Sequence, residues 1–319
     1  MTPLRAPCQR STTREKLAWV VLCLGIFLSL SCITSAKEVA ILKSADISAY
    51  SEAITAFKSA LPQSFQVNPE YDLKGDMAKG QNLAKRIRTS NATVVLAVGL
   101  KAALVAKLEI LDIPVIFCLV VDPEKYGLPT GNMVGLSLDV PFRQQIKPLQ
   151  TLVSKVSRIG LLFDPQKSSR MQAQLLRDAT GLGIRIVSEE VHTEEDVPQA
   201  LNAIKDHIDA LWLLPDSTVL TENTLDFLMS TTLEANIPVV GFSSGLVRSG
   251  ALVGAYSHYT DIGEQAARLS QQLVGQTSSS LLGTIILPEH IHQGINQKSA
   301  RFLSLSLTPD LLKHFDEQF

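Results

Sequence analysis

The chain is poor in cysteine. Of its 319 residues four are cysteines, and Cys8, Cys23 and Cys32 fall within the first 36 positions, so Cys118 stands alone in the remainder. That excludes an intrachain disulfide framework and any CxxC site in the body. Cys118 lies in the apolar run Ile113 to Val121 and reads as a small buried hydrophobe. Charge of one sign is scarce as well. The formal net charge is -2, and Arg5, Arg10, Arg14 and Lys16 against Glu15 contribute +3 of it within the first 36 residues, leaving about -5 beyond them. A mildly acidic body carries no electrostatic footprint for nucleic acid. Neither G-x-G-x-x-G nor a Walker sequence occurs, so no cofactor or nucleotide site is expected. The apolar run Leu17 to Leu30 spans 14 residues, short of the ~20 that a membrane-spanning helix needs.

What is present begins with that run. It follows the basic residues and precedes Ser31-Cys32-Ile33-Thr34-Ser35-Ala36, the order of a signal peptide over residues 1–36. Thr34 and Ala36 suit the positions three and one before a cut, which makes Lys37 the mature N-terminus and the periplasm the destination. An uncleaved anchor and a lipoprotein cut before Cys32 stay open; Ser31 suits the latter, whereas Ser29 stands where an aliphatic residue is usual.

From Lys37 onward, strand-like apolar runs alternate with helix-like segments, the pattern of parallel sheets covered by helices. Val39 to Leu42 precedes a helix over Tyr50 to Leu61; Thr93 to Val98 precedes one over Leu100 to Leu111; Ile113 to Val121 follows. The order then restarts: Arg158 to Phe163 before Met171 to Leu182, Asp209 to Leu214 before Leu225 to Ala235, then Ile237 to Phe242. Ile113-Pro114-Val115 recurs as Ile237-Pro238-Val239, 124 positions later, and Gly131-Asn132-Met133-Val134-Gly135 is answered by Gly250-Ala251-Leu252-Val253-Gly254, 119 positions later. Each copy ends in an amphipathic helix, Phe142 to Val153 and Ile262 to Val274. Two copies of about 120 residues predict two doubly wound α/β lobes of similar design.

In open parallel sheets, ligands lie beyond the carboxyl ends of the strands. Those ends carry Ser44 and Asp46, then Gly99, Leu100 and Lys101, then Asp122 in the first copy; the second offers Asp164, then Asp216, Ser217 and Thr218, then Ser243 and Ser244, and finally Tyr256. Asp216-Ser217-Thr218 precedes a helix, where hydroxyls and free amides can take a carboxylate and Asp216 an ammonium; capping explains the same residues. Gly99 admits a ligand to the backbone or simply makes the turn. Asp122-Pro123 and Asp164-Pro165 suit turns as well as ligands, and Tyr50 suits stacking on a ligand as well as the core. Gly241-Phe242-Ser243-Ser244-Gly245 matches the G-x-S-x-G of a hydrolase nucleophile, but little room for the obligatory helix follows it. His258, His290, His292, His314 and Asp261 lie downstream of that serine. Glu289, His290 and His292 lack a fourth ligand at a recognisable spacing, so no metal site is expected.

The stretches Val98 to Ala103, Ile113 to Phe117 with Asp122-Pro123, Val134 to Asp139, Ala210 to Thr218 and Gly250 to Val253 together resemble the ABC-transporter substrate-binding family that includes tryptophan-binding proteins, itself similar to type I periplasmic binding proteins. The resemblance implies two hinged lobes, residues 37–139 with about 258–286 and residues 140–257 with about 287–319. It also implies a small ligand, an amino acid or related anion, between them, with Ser137 among the residues near it. A monomer that passes its ligand to a permease and ATPase, and touches the membrane only through them or through a retained or lipidated leader, is the implied role. A sensor feeding a membrane signalling partner uses the same fold, and a serine hydrolase built on Ser243 is the third reading. Family members that bind aromatic amino acids usually carry a Thr-Pro-like pair near Leu100 and Lys101, so an aromatic amino acid is one candidate among several.

Overall fold

Val39 and Ile41 alternate with Ala40 and Leu42 along one strand, and all four are fully buried, on opposite faces. A strand with no polar side facing water must be covered by helices on both faces. That arrangement holds throughout the computed structural model, which describes residues 37–67, 69–153, 155–274 and 280–319; the leader lies outside the described residues. In chain order the strands are β1 (Lys37–Lys43), β2 (Phe65–Val67), β3 (Tyr71–Asp72), β4 (Ala92–Val98), β5 (Val115–Cys118), β6 (Met133–Leu136), β7 (Arg158–Phe163), β8 (Arg185–Glu190), β9 (Ala210–Trp212), β10 (Val239–Gly241), β11 (Val253–Tyr256), β12 (Ile285–Ile286), β13 (His292–Ile295) and β14 (Glu317–Gln318).

They form two sheets. The first has the order β12-β6-β5-β4-β1-β2, with β3 also paired to β1, and its strand pairs are parallel. The second has the order β14-β13-β11-β10-β9-β7-β8 and is parallel except where β13 runs against β11. The helices that cover them are α1 (Ser48–Ala60), α2 (Met77–Arg88), α3 (Leu100–Glu109), α4 (Phe142–Leu152), α5 (Pro165–Thr180), α6 (Val197–Ile204), α7 (Glu222–Glu234), α8 (Ser244–Arg248) and α9 (Tyr259–Val274). Each sheet has an apolar cluster on each face, so the protein has two α/β lobes with separate cores.

The chain crosses between the sheets three times: from β6 to α4, which packs on β11; from β11 to α9, which packs on α1; and from β12 to β13. Helix α9 therefore follows the second sheet in sequence yet buries Ile262, Ala266 and Leu269 in the first lobe's core. Gly263 makes the approach possible, because a Cβ at that position would run into the Ala53 carbonyl of α1. Residues of all three crossings, among them Asp139, Ser257 and Leu287, border one space at the seam between the lobes.

Some local structure departs from the expected runs. The apolar stretch Ile113 to Val121 is a strand only over Val115–Cys118, because Leu119 (φ 56°) and Asp122 (φ 44°) turn the chain into left-handed conformations. Short or half-exposed segments were invisible to hydrophobic patterning: β2 and β8 are sheet edges, and polar α2 is started by Asp76, whose carboxylate accepts the Ala78 and Lys79 N–H groups.

Candidate functional site

Between the lobes, against the three crossings, lies a cavity of about 1020 Å³. The first lobe supplies the turn Asp122–Glu124 and the crossing Ser137–Pro141; the second supplies residues of α4 and α5, the ends of β9 and β10, and Tyr256 to Tyr259 at the second crossing. One wall is apolar and aromatic. Phe142 stacks on Trp212 with ring centroids 4.8 Å apart and planes at 27°, and Phe242 and Tyr259 also line the cavity. Phe142 opens α4 and Trp212 ends β9, so the pair is fixed by regular elements rather than by loops.

Acidic residues line the cavity as well. Asp122 holds its left-handed backbone at the start of a short 3₁₀ turn, a conformation that Asp tolerates better than most residues. Its Oδ1 accepts a bond of 3.2 Å from Arg170 Nε of α5, and the same guanidinium pairs with Glu124, so the contact joins the two lobes. Lys125 Nζ adds a second link by donating to the Gln166 carbonyl at 2.7 Å. Asp122 Oδ2 is buried and has no hydrogen-bond partner; the same is true of Ser257 Oγ, and both residues line the cavity. Asp139 also lines the cavity, with part of its surface open to it. Desolvation raises its carboxyl above the ordinary range, the charge of Asp122 pushes the same way, and the Ser137 hydroxyl opposes both.

A polar cluster at the crossings adjoins the cavity through Tyr256 and His258. Tyr256 Oη donates to Glu317 Oε2 at 2.6 Å, His258 Nε2 lies 3.0 Å from Glu317 Oε1, and His292 Nε2 lies 2.8 Å from Asp261 Oδ2. Burial, followed by the Glu317 carboxylate, drives the Tyr256 hydroxyl's ionisation far above its usual range. The two imidazoles face each other with centroids 4.4 Å apart. These contacts tie Asp261 of α9 to β13 and Glu317 of β14 to the crossing, so they stitch one lobe to the other.

Of the residues singled out by sequence, Asp122, Ser137, Ser243, Ser244 and Tyr256 line the cavity. Ser44, Asp46, Tyr50, Gly99, Leu100 and Lys101 gather elsewhere on the first lobe. Ser44 Oγ donates to the Val98 carbonyl and accepts the Ala102 N–H, Tyr50 covers Gly99, Lys101 Nζ donates to the Gly75 carbonyl at 2.6 Å, and exposed Asp46 pairs with Lys43 at 2.9 Å. Leu100 packs against the apolar cluster under α3.

Asp164, Asp216 and Thr218 form a closed internal network. Asp216, 1% exposed, accepts from the Asp164 N–H, the Ser168 hydroxyl and the Thr218 N–H, while the Thr218 hydroxyl donates to Asp164 Oδ2 at 2.7 Å. The expectation that this run offers free groups at a helix start is corrected here. Helix α7 begins at Glu222 and is capped by Thr221 in a reciprocal box with Thr224, Ser217 is exposed outside the lining, and the polar capacity of Asp216 and Thr218 is spent inside the lobe. Ser243 caps the five-residue α8 by accepting the Leu246 N–H at 3.3 Å, and His258 and His292 bond to Glu317 and Asp261 instead of to it. That is the geometry of a cap rather than of an activated nucleophile.

Asp139, Arg170, Glu317 and the Phe142–Trp212 stack were not anticipated as site residues. Asp139 closes the Val134 to Asp139 stretch and was the one within reach. Arg170 is an ordinary exposed helix residue in sequence, and Glu317 reaches the seam only through the pairing of β14 with β13.

Comparison with known proteins places the chain among relatives. The model of the ABC transporter substrate-binding protein family matches residues 39–317. A curated tyrosine-binding protein of Clostridioides difficile (strain R20291) is 25% identical over 209 residues, which cover 63% of this chain and 60% of that protein, so the match spans less than two thirds of the relative's length. Among solved structures, an ABC domain from Streptococcus pneumoniae in complex with L-Trp superimposes with a TM-score of 0.65 at 18% identity, covering 89% of this chain and all (100%) of that one. A ligand-free, open substrate-binding protein with adhesive properties from Clostridium difficile does so with a TM-score of 0.76 at 20% identity, covering 89% and 99%. At such identities these two likenesses speak to fold.

Proposed function

Because the chain belongs to the ABC transporter substrate-binding protein family, we propose that it is the extracytoplasmic receptor of an importer, taking an amino acid or a close chemical relative into the cavity between its lobes and delivering it to a permease and ATPase. The observation that carries this reading is the cavity itself: about 1020 Å³ between two separately cored lobes, lined by the Phe142–Trp212 stack together with the polar residues Asp122, Ser137, Asp139 and Ser257. A ligand that touches both walls favours the state in which they are together, which couples binding to closure about the three crossings. The tyrosine and L-Trp in the names of similar proteins support an amino acid as the ligand.

The rest of the role follows from this reading. The leader over residues 1–36 directs export with a cut after Ala36, the lobes comprise residues 37–139 with about 258–286 and residues 140–257 with about 287–319, and the protein acts as a monomer without catalysis. Native mass spectrometry of protein purified from its own export compartment, followed by calorimetry with the standard amino acids, tests the assignment. A co-purified small molecule that titrates at one site per chain is expected; an empty protein that gives no heat with any amino acid would sink it.

A further inference from the structure

We propose that the end of the first lobe where α2 and α3 finish docks on an anionic lipid surface, with Leu108 and Leu111 entering the headgroup layer and Lys85, Arg86 and Arg88 meeting lipid phosphates. The inference rests on export of the chain and is independent of what the cavity holds.

Charge is the first observation behind it. Between Tyr71 and Asp112 the chain has seven lysines and arginines against four acids, net +3, whereas the rest of the chain beyond residue 36 stands at about -8. Among the described residues none of those seven cations is ion-paired. Lys101 and Lys107 reach backbone carbonyls instead, and Arg86 lies over the Tyr71 ring. Two of the four acids are engaged by backbone: Asp72 accepts the Lys74 N–H, and Asp76 the Ala78 and Lys79 N–H groups. Glu109 and Asp112 remain, beside the leucines, and the three cations that close α2 outnumber them. The stretch Glu189 to Asp196, with five acids and no lysine or arginine, belongs to the second lobe, so an anionic surface draws in one lobe and repels the other.

Apolar exposure is the second. Leu108 is 60% and Leu111 64% exposed, the two most exposed large apolar side chains among the described residues. A single exposed leucine needs no explanation. Two of them, three positions apart at the carboxyl end of a helix and close to unpaired cations, have the composition of a segment that lies in a bilayer interface.

Position is the third. Strands β1, β4 and β5 are parallel, and α2 and α3 run back along the sheet to start the next strand, so Arg88 precedes β4 and Leu111 precedes β5 at the same end. Lys37 opens β1 at that end too, since its neighbour Glu38 is in register with Ala92 of β4. The proposed leader joins the folded chain there. That end is therefore the part of the lobe held nearest the membrane until the cut, and the cut after Ala36 adds an α-ammonium to it. This placement favours a bilayer over an acidic protein as the anionic partner. A lysine or arginine near such a bilayer strengthens binding about fivefold, so three give docking that is weak and reversible.

The test is co-sedimentation of the whole exported chain, residues 37–319, with vesicles of phosphatidylcholine alone or with about 30% phosphatidylglycerol, no solute being added. Binding to the anionic vesicles is expected to be at least about tenfold tighter and to vanish between about 50 mM and about 500 mM salt. Lys85→Gln with Arg88→Gln should weaken it at least about fivefold, and Leu108→Ser with Leu111→Ser should weaken it at unchanged charge. Lys298→Gln with Arg301→Gln, the same charge change on the second lobe, should leave it unaltered. Equal weakening by the two charge pairs, equal binding to both kinds of vesicle, or no binding overturns the inference while leaving export and the cavity untouched. Self-association in light scattering that L108S with L111S abolishes overturns it as well, by making a second copy the occupant of this face. Should the leucine variant not fold, the two charge pairs and the salt dependence decide the matter alone.

Discussion

Two aspartates, each a few residues beyond a strand of its own lobe's sheet, behave in opposite ways. Asp122 follows a strand of the first sheet and keeps a buried oxygen without a partner at the cleft; Asp216 follows a strand of the second and has three donors on its two oxygens, inside the lobe. The same side chain after the same kind of strand keeps an oxygen without a partner in one place and is a structural tie in the other. What separates them is whether the protein has already consumed their hydrogen-bonding capacity.

The comparison can be broken most forcefully at Asp216. Its replacement by alanine strands two backbone N–H groups and a hydroxyl in the interior, so Asp216→Ala is expected to lower unfolding stability by about 3 kcal/mol, read from the urea midpoint. Were that loss absent and ligand affinity abolished instead, Asp216 would be a binding group and not a structural tie. Next comes Gly99, where φ is 85° and an added Cβ would collide with Tyr50 Oη. Gly99→Ala is expected to cost about 2 kcal/mol, and adding Tyr50→Phe should restore part of it, since the two positions are in contact.

A third carboxylate sharpens the same contrast. Asp209 stands just before β9 and binds the Arg158 guanidinium and the Ser157 and Arg158 N–H groups; burial works to raise its pKa, but these bonds outweigh it and bring it from 3.8 down to about 2. A depressed carboxyl contributes stability that is fully present above the unfolded value and is lost as pH falls through the folded one. With its partly exposed Arg158 partner, Asp209→Asn is therefore expected to cost about 1 kcal/mol at neutral pH, with the gap to the parent protein closing as acid unfolding is followed from pH 4 towards pH 2. Convergence already above pH 5 would rule out Asp209 as the source. The smallest effect belongs to Ser217, exposed and outside the cavity. Ser217→Ala should leave both stability and ligand affinity within about 0.5 kcal/mol, and a measurable loss of affinity would restore the Asp216–Thr218 run to the site.

Much of the architecture was legible because it is written in local periodicities. The buried alternation of Val39 to Leu42, the strand-then-helix order and the repetition of Ile113-Pro114-Val115 at Ile237 needed no knowledge of contacts. The cavity was legible only in part. Sequence position put Asp122, Ser243, Ser244 and Tyr256 at strand ends, which is where the cavity is, but it put Ser44, Asp46, Lys101 and Ser217 there on equal terms. Nothing in a strand-end residue announces whether its side chain will meet a cavity, a neighbouring loop or its own backbone.

The sequence by itself therefore determined a basic then apolar N-terminal segment, two repeated α/β units, and a mildly acidic body with a single cysteine. Those are properties of composition and of spacing along the chain, and they survive any change in how distant segments meet. Tertiary structure alone decided which polar groups stayed free. Asp216 is satisfied by the Asp164 N–H, 52 residues away, and Asp122 is joined to Arg170, 48 residues away, while Glu317 reaches Tyr256 from 61 residues away. A hydrogen bond between such partners exists only once both segments have been packed, so the division between spent and unspent carboxylates is set by the fold, and the chemistry of the cleft with it.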